Sequence, residues 1–353
     1  MDFAEIENNR EQLDPQNMWE AVAGFGDQIQ DAAEISLPDT SSIDSERIQN
    51  IVFCGMGGSA IGGDLIATYA AGELSVPMIV NRNYTLPGFV GEHSLVVISS
   101  YSGNTEETLS SLHMAEEAGA QIVGISSNGE VEQRFNSQGY PLISIPGGMQ
   151  PRAALGFSFI PMVRLFNQIG LLPGNIETDI AETIATVKPL SNKYQSAGEE
   201  NTAFATAAKL INTVPIIYTT PELEVVGVRW KGQLAENAQM LAFQNRLPEM
   251  NHNEIMGWDQ QPEFMKTVSL IWLYDEEAHP KVNRRREVTS ELLRDYPQSE
   301  HTFSTEGTNR MSRLISLIHL GDWISLYAAL LQEVDPTPVE RISLLKSRLA
   351  ESN

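Results

Sequence analysis

Two stretches of this chain concentrate groups that bind anions. In Ser99–Leu109, S-S-Y-S-G-N-T-E-E-T-L, the hydroxyls of Ser100, Ser102 and Thr105 stand with one Gly and one Asn between an apolar run and a segment with helical spacing. A strand that turns sharply into a helix aims several backbone N–H groups at one spot, where the helix dipole favours negative charge. Hydroxyls there add donors without adding charge, so the stretch reads as a seat for a phosphate group. The alternative is that Ser102 or Asn104 only caps the helix. Upstream, Gly55–Asp64, G-M-G-G-S-A-I-G-G-D, forms a second such turn, with Gly57, Gly58 and Ser59 in it. It meets the dinucleotide fingerprint only loosely, because Val80-Asn81-Arg82-Asn83 lacks the acid that would hold a ribose. Gly63 and Asp64 stand where a P-loop needs Lys and Ser/Thr. A Gly turn at the carboxyl end of one strand, facing a hydroxyl turn at the end of another, suits a sugar phosphate better than a nucleotide.

The second half carries polar groups that a core does not need. Arg229, Gln233, Glu236 and Asn237 recur at spacings of three and four on a long helix and share a face. The plain alternative is a solvated face with Arg229 and Gln233 paired. His252 follows Pro248 in an Asn-rich loop, with Glu249 and Glu254 close by in the chain, and Lys346 lies on a terminal helix. Pro151-Arg152 delivers an arginine to a helix start, which is unfavourable unless it meets an anion. A carboxylate base, a cation near a developing oxyanion and a further acid/base suit removal of a proton alpha to a carbonyl and its return one carbon away. That chemistry needs no metal or redox cofactor. None is indicated, because the six histidines are scattered and the single cysteine, Cys54, is isolated in a strand.

These groups need a scaffold, and its signal is alternation. Ile51–Cys54, Val76–Val80, Leu95–Ser99, Ile122–Ile125 and Leu142–Ile145 are short apolar strands separated by helical segments. A second set follows, with strands at Val214–Tyr218, Val268–Tyr274 and His301–Ser304 and helices at Glu222–Phe243, Val282–Leu293, Asn309–Leu331 and Val339–Leu349. The expected fold is α/β, two tandem doubly wound domains, each a mainly parallel sheet flanked by helices. A leader spans 1–40 with one helix over Pro15–Ile35, the first domain 41–200 and the second 201–353. At 353 residues two cores are expected. The formal charge of −23 makes nucleic acid and anionic membranes poor partners, and no run of about eighteen apolar residues stands out to span a bilayer. An acidic N-terminus without a signal pattern and the lone cysteine point to a cytoplasmic protein.

G-M-G-G-S-A-I-G-G-D, S-Y-S-G-N-T-E-E-T at Ser100–Thr108, Pro151-Arg152, R-W-K-G-Q-L-A-E-N at Arg229–Asn237 and N-H-N-E at Asn251–Glu254 occur in this order. Together they resemble the bifunctional phosphoglucose/phosphomannose isomerases, built of two sugar-isomerase (SIS) domains. The first two motifs mark sugar-phosphate SIS domains generally; the last two are more specific. The resemblance implies an aldose–ketose isomerase interconverting glucose 6-phosphate and mannose 6-phosphate with fructose 6-phosphate. It implies that Gly57, Gly58, Ser59, Ser100, Ser102 and Thr105 hold the substrate phosphate, and that Glu236 shuttles the proton between C2 and C1. Arg152 would stabilise the enediolate, Lys346 would assist at the ring oxygen, and His252, lent across a homodimer interface, would open the ring. The residue that admits mannose precedes that lysine, with Thr337 one option. Two other readings keep the phosphate turns: a non-catalytic SIS regulator and an isomerase of another sugar phosphate.

Overall fold

The computed structural model describes residues 2–198 and 200–351. The chain opens with helices α1 (Phe3–Leu13), α2 (Met18–Ala23) and α3 (Phe25–Glu34) rather than one leader helix. The breaks have local causes. The Asp14 carboxylate accepts from the N–H groups of Met18 and Trp19, at 2.9 and 2.7 Å, and Asn17 adopts φ +57°. Both features restart the backbone at α2.

Then come β1 (Asn50–Cys54), α4 (Gly57–Tyr69), β2 (Met78–Asn81), β3 (Ser94–Ser100), α5 (Glu106–Glu117), β4 (Gln121–Ser126), α6 (Gly129–Gln138), β5 (Leu142–Ser144), α7 (Leu155–Gln168) and α8 (Ile176–Gln195). The remainder is α9 (Thr202–Leu210), β6 (Val214–Thr219), α10 (Glu224–Asn237), β7 (Phe243–Arg246), α11 (Pro262–Met265), β8 (Val268–Tyr274), α12 (Pro280–Leu293), β9 (Ser299–Ser304), α13 (Arg310–Leu331) and α14 (Glu340–Ala350). Two compact units result. The N-terminal unit comprises Gly24–Lys188 and Gly307–Arg313; the C-terminal unit comprises Met1–Ala23, Pro189–Glu306 and Leu314–Asn353. The 1–40 leader is therefore divided between them, and α8 crosses the boundary near Pro189 instead of at 200.

The N-terminal unit holds a five-stranded parallel sheet, order β2-β1-β3-β4-β5. Its central strands are buried along nearly their whole length, which is why they read as continuous apolar runs rather than alternating ones. Register places Cys54 beside Ile98, so the turns leaving β1 and β3 emerge side by side. Cys54 itself is free and buried, and burial pushes its thiol up to about 11, which suits packing and not nucleophilic chemistry.

The C-terminal unit holds a four-stranded parallel sheet, order β7-β6-β8-β9. Its strand β7 is not expected from the sequence, and the helix expected to run to Phe243 ends before it. Helix α10 stops at Asn237, and Gln239 takes φ +54°, a left-handed stop. Helix α13 is almost wholly buried. Contrary to the sequence expectation it is long and apolar enough to cross a membrane by composition, but its surface is spent on the protein core. The leader explains part of that burial. Trp19 meets Trp323 edge-on at 4.8 Å and Tyr327 at 5.6 Å, while Phe3 meets Phe204 at 5.5 Å.

The same core encloses His319. Its Nε2 accepts from Trp323 Nε1–H at 3.2 Å and lies 2.7 Å from Ser191 Oγ, and burial pushes its pKa down to about 3. A histidine of ordinary pKa near 6.5 in the unfolded chain binds a proton that the folded chain refuses. Stability is therefore full above pH 6.5 and falls by up to roughly 1.4 kcal/mol per pH unit as pH drops towards 3. Urea midpoints measured from pH 7 to pH 4 are expected to drop along this limb, and less steeply in His319→Asn.

Candidate active site

In the N-terminal unit the two glycine- and hydroxyl-rich turns interlock. The Tyr101 N–H donates to Ser59 Oγ at 3.1 Å, and Ser100 Oγ lies 3.1 Å from Thr105 Oγ1. Thr105 is the N-cap of α5, but its hydroxyl makes no capping bond to that helix. The Asn104 N–H contacts Ser102 Oγ only at 3.4 Å and Ser102 is exposed, so Ser102 is not spent on a tight cap, whereas Asn104 Oδ1 accepts from the Glu130 N–H at 3.0 Å and caps the first turn of α6 and not of α5. Serines from the next strand fix the turn from behind: Ser126 Oγ donates to the Ser100 carbonyl at 2.7 Å and Ser127 Oγ to that of Tyr101 at 2.6 Å. Gly103, at φ +67°, passes so close to the Asn128 carbonyl that a Cβ would lie 1.7 Å from its oxygen. The Glu106 carboxylate accepts from the Tyr84 hydroxyl at 3.3 Å. A small space of about 10 Å³, room for no more than a water-sized group, lies beside Gly58, Ser59 and Tyr101.

The same unit brings Arg152 to these turns. It sits in the 3-10 turn Pro151–Ala153, buried, directly against the start of α4. A Cβ on Gly58 would lie 2.8 Å from the Pro151 carbonyl oxygen and 3.3 Å from Arg152 N, so only glycine admits this approach. Gln28 of α3 locks the turn from the other side: its Nε2 donates to the Ala153 carbonyl at 2.8 Å, and its Oε1 accepts from Gly156 N–H at 2.7 Å. Nothing in the spacing of α3 marks Gln28, except that a glutamine on an apolar face must find partners once buried. Gly58→Ala is expected to push the Pro151–Ala153 turn outward and lower kcat/KM for the substrate at least about ten-fold, roughly 1.4 kcal/mol. Steady-state kinetics beside a melting curve would separate this from unfolding.

In the C-terminal unit the face Arg229–Gln233–Asn237 is buried, not solvated. The Arg229 guanidinium forks onto Asp322 of α13, with Nε and Nη2 at 3.1 and 2.8 Å, and Gln233 Nε2 donates to the same carboxylate at 3.0 Å. Asn237 Nδ2 donates to Ser325 Oγ at 2.9 Å. Burial pushes the Asp322 carboxyl up from its ordinary range, and Arg229 and Gln233 pull it back. Arg229 and Gln233 are thus paired through Asp322, a residue the helix motif does not contain. Glu236, half-buried, leaves this clamped helix one residue before Asn237.

His252 is exposed, in the 3-10 turn Glu249–His252. Its neighbours in the chain are tied elsewhere. Glu254 accepts from the Tyr218 hydroxyl at 2.6 Å and from Asn245 Nδ2 at 2.5 Å, Glu249 accepts from Asn253 Nδ2 at 2.7 Å, and Asn251 Nδ2 donates to Thr289 Oγ1 at 2.9 Å. These acids therefore anchor the loop on both sides of the imidazole instead of pairing with it. Lys346 is exposed on α14, whereas Thr337 is buried in the turn before that helix, its N–H donating to Asp335 Oδ1 at 2.9 Å.

Two parallel-sheet units flanked by helices, with hydroxyl turns at the carboxyl ends of β1 and β3, define an SIS-domain protein. Residues 199–349 match the model of the bacterial phospho-glucose isomerase C-terminal SIS domain. Among solved structures, a hypothetical protein from Thermus thermophilus shares the fold at a TM-score of 0.73 and 14% identity, covering 99% of this chain and 95% of that one. The chain belongs to the bifunctional phosphoglucose/phosphomannose isomerase family. It is 40% identical to the Caldicellulosiruptor bescii member over 95% of this chain and 99% of that protein. It is 35% identical to the Aquifex aeolicus member over 85% and 90%.

Proposed function

We propose that the protein interconverts glucose 6-phosphate and mannose 6-phosphate with fructose 6-phosphate through an enediolate. The observation that carries this reading is the interlocked pair of turns, with Ser59 on Tyr101 and Ser100 on Thr105, in a chain that matches its isomerase relatives over nearly full length. Gly57, Gly58, Ser59, Ser100, Ser102 and Thr105 seat the phosphate with neutral donors, which suits a protein of charge −23 because little of the surface attracts an anion by itself. Glu236 is the base that moves the proton between C2 and C1. Its clamped helix favours the fixed geometry that proton transfer needs. Arg152 faces the enediolate oxygen, His252 opens the ring and Lys346 assists at the ring oxygen.

His252 acts from the partner of a homodimer in this reading. Exposed Leu241, Phe243 and Met256, 69, 51 and 71% accessible, flank its loop and edge strand β7, an apolar surface of the kind an interface covers. A cytoplasmic setting fits the single buried thiol. The test is a coupled assay with purified protein on both aldose phosphates, with sedimentation in parallel. Turnover of both by a dimer is expected; turnover of neither would overturn the activity, and a fully active monomer would overturn the lending of His252.

A further inference from the structure

A cleft of about 180 Å³ opens on the surface of the C-terminal unit, well away in sequence from Glu236 and His252. Its lining combines two unlike charges. Lys193 of α8 and Glu306, just after β9, both face it, yet no ion pair joins them to each other or to any described residue. The Lys193 ammonium stands over the Tyr194 ring, 5.9 Å from its centroid, a weak contact that leaves its charge open to a carboxylate, and the exposed Glu306 carboxylate is open to an ammonium group. Thr202 and Ser304 add hydroxyls near the charges, while Leu317 and Leu320 of α13 form an apolar floor. The volume is below the roughly 300–1,000 Å³ of drug-sized ligand sites, which suits a small ligand.

We propose that this cleft is a second small-molecule site, taking a zwitterionic α-amino acid with an apolar side chain. The carboxylate meets Lys193, the ammonium meets Glu306, and the side chain lies on Leu317 and Leu320. The site also touches the support of the helix that carries Glu236. Phe303, in the cleft wall, packs against Trp230 of α10 with ring centroids 5.9 Å apart, and Trp230 Nε1 donates to the Leu317 carbonyl at 2.7 Å. Gly321 closes the contact so tightly that a Cβ there would lie 2.2 Å from Trp230 Nε1. An occupant pressing on Phe303 and Leu317 therefore bears on Trp230, six residues before Glu236, and changes turnover from a distance.

The experiment titrates the full-length protein with L-alanine, L-valine, L-leucine and L-phenylalanine. Tryptophan fluorescence and Tm are the readouts, so the result does not depend on turnover or on the isomerase reading above. Isopentylamine and 4-methylpentanoate, each lacking one charge, serve as controls. A saturable response to L-leucine or L-phenylalanine is expected, with Tm rising a few degrees at hundred-fold excess over Kd. The half-charged controls should not reproduce it. Lys193→Met and Glu306→Gln should each weaken binding by about ten-fold or more, the loss of one charge-assisted contact. Their turnover without amino acid should stay within about two-fold of the parent's. No saturable response to any of the four amino acids, or an undiminished response in both variants, would overturn the proposal.

Discussion

Glu236→Gln is expected to abolish exchange of the C2 proton of the sugar phosphate with solvent while phosphate-anchored binding persists. General base catalysis is worth about 10² to 10⁴-fold when the base is within reach of the proton, so kcat should fall by at least that factor. KM for the sugar phosphate should change by no more than about three-fold, because the phosphate turns belong to other elements. The amide matches the carboxylate in size, and the clamp through Arg229, Gln233 and Asn237 is untouched, so melting temperature should hold. Deuterium wash-in followed by NMR reads exchange directly. Persistent exchange at the parent rate would remove Glu236 from the role.

Asp322→Ala carries the largest expected effect on stability. It removes the carboxylate that accepts from Arg229 at two points and from Gln233 at a third, all buried. Removing one member of a buried pair costs about 3–5 kcal/mol, because the other charge stays in a poorly solvated place. Asp322→Asn keeps the shape and an acceptor and should lose less. Urea unfolding of the two variants gives the difference, and equal, small losses below about 1 kcal/mol would show that the clamp is not what holds α10. Activity adds a second reading. Loosening α10 should lower kcat in both variants even where they remain folded, since a misplaced base loses rate steeply with distance.

Much of the architecture is legible in the linear order of residues. Apolar runs such as Leu95–Ser99 followed by helical spacing announce buried parallel strands, because strands covered on both faces need not alternate. The two turns are legible for a related reason: glycines and hydroxyls at a strand end have few other uses in such number. What the linear order hides is set by long-range contact. Strand β7 is short, and only the left-handed stop at Gln239 and its pairing with β6 make Phe243–Arg246 extended. The leader looks autonomous until Trp19 is seen against Trp323, more than three hundred residues away in the chain. Gln28 and Asp322 carry no motif, and their importance lies in what they bond.

The sequence by itself determined which groups the protein has to work with: neutral donors for an anion at two strand ends, a carboxylate on a helix face, and an imidazole in a loop. Those are consequences of local spacing, and local spacing is written in the chain. Tertiary structure decided which of these groups are held and how. It buried Arg229 and Gln233 against Asp322, set Gly58 against the Pro151–Ala153 turn so that Arg152 adjoins α4, and tied Glu254 to Tyr218 so that His252 stands exposed. Each depends on partners tens of residues distant, and a buried polar group takes its state from those partners rather than from its neighbours in sequence.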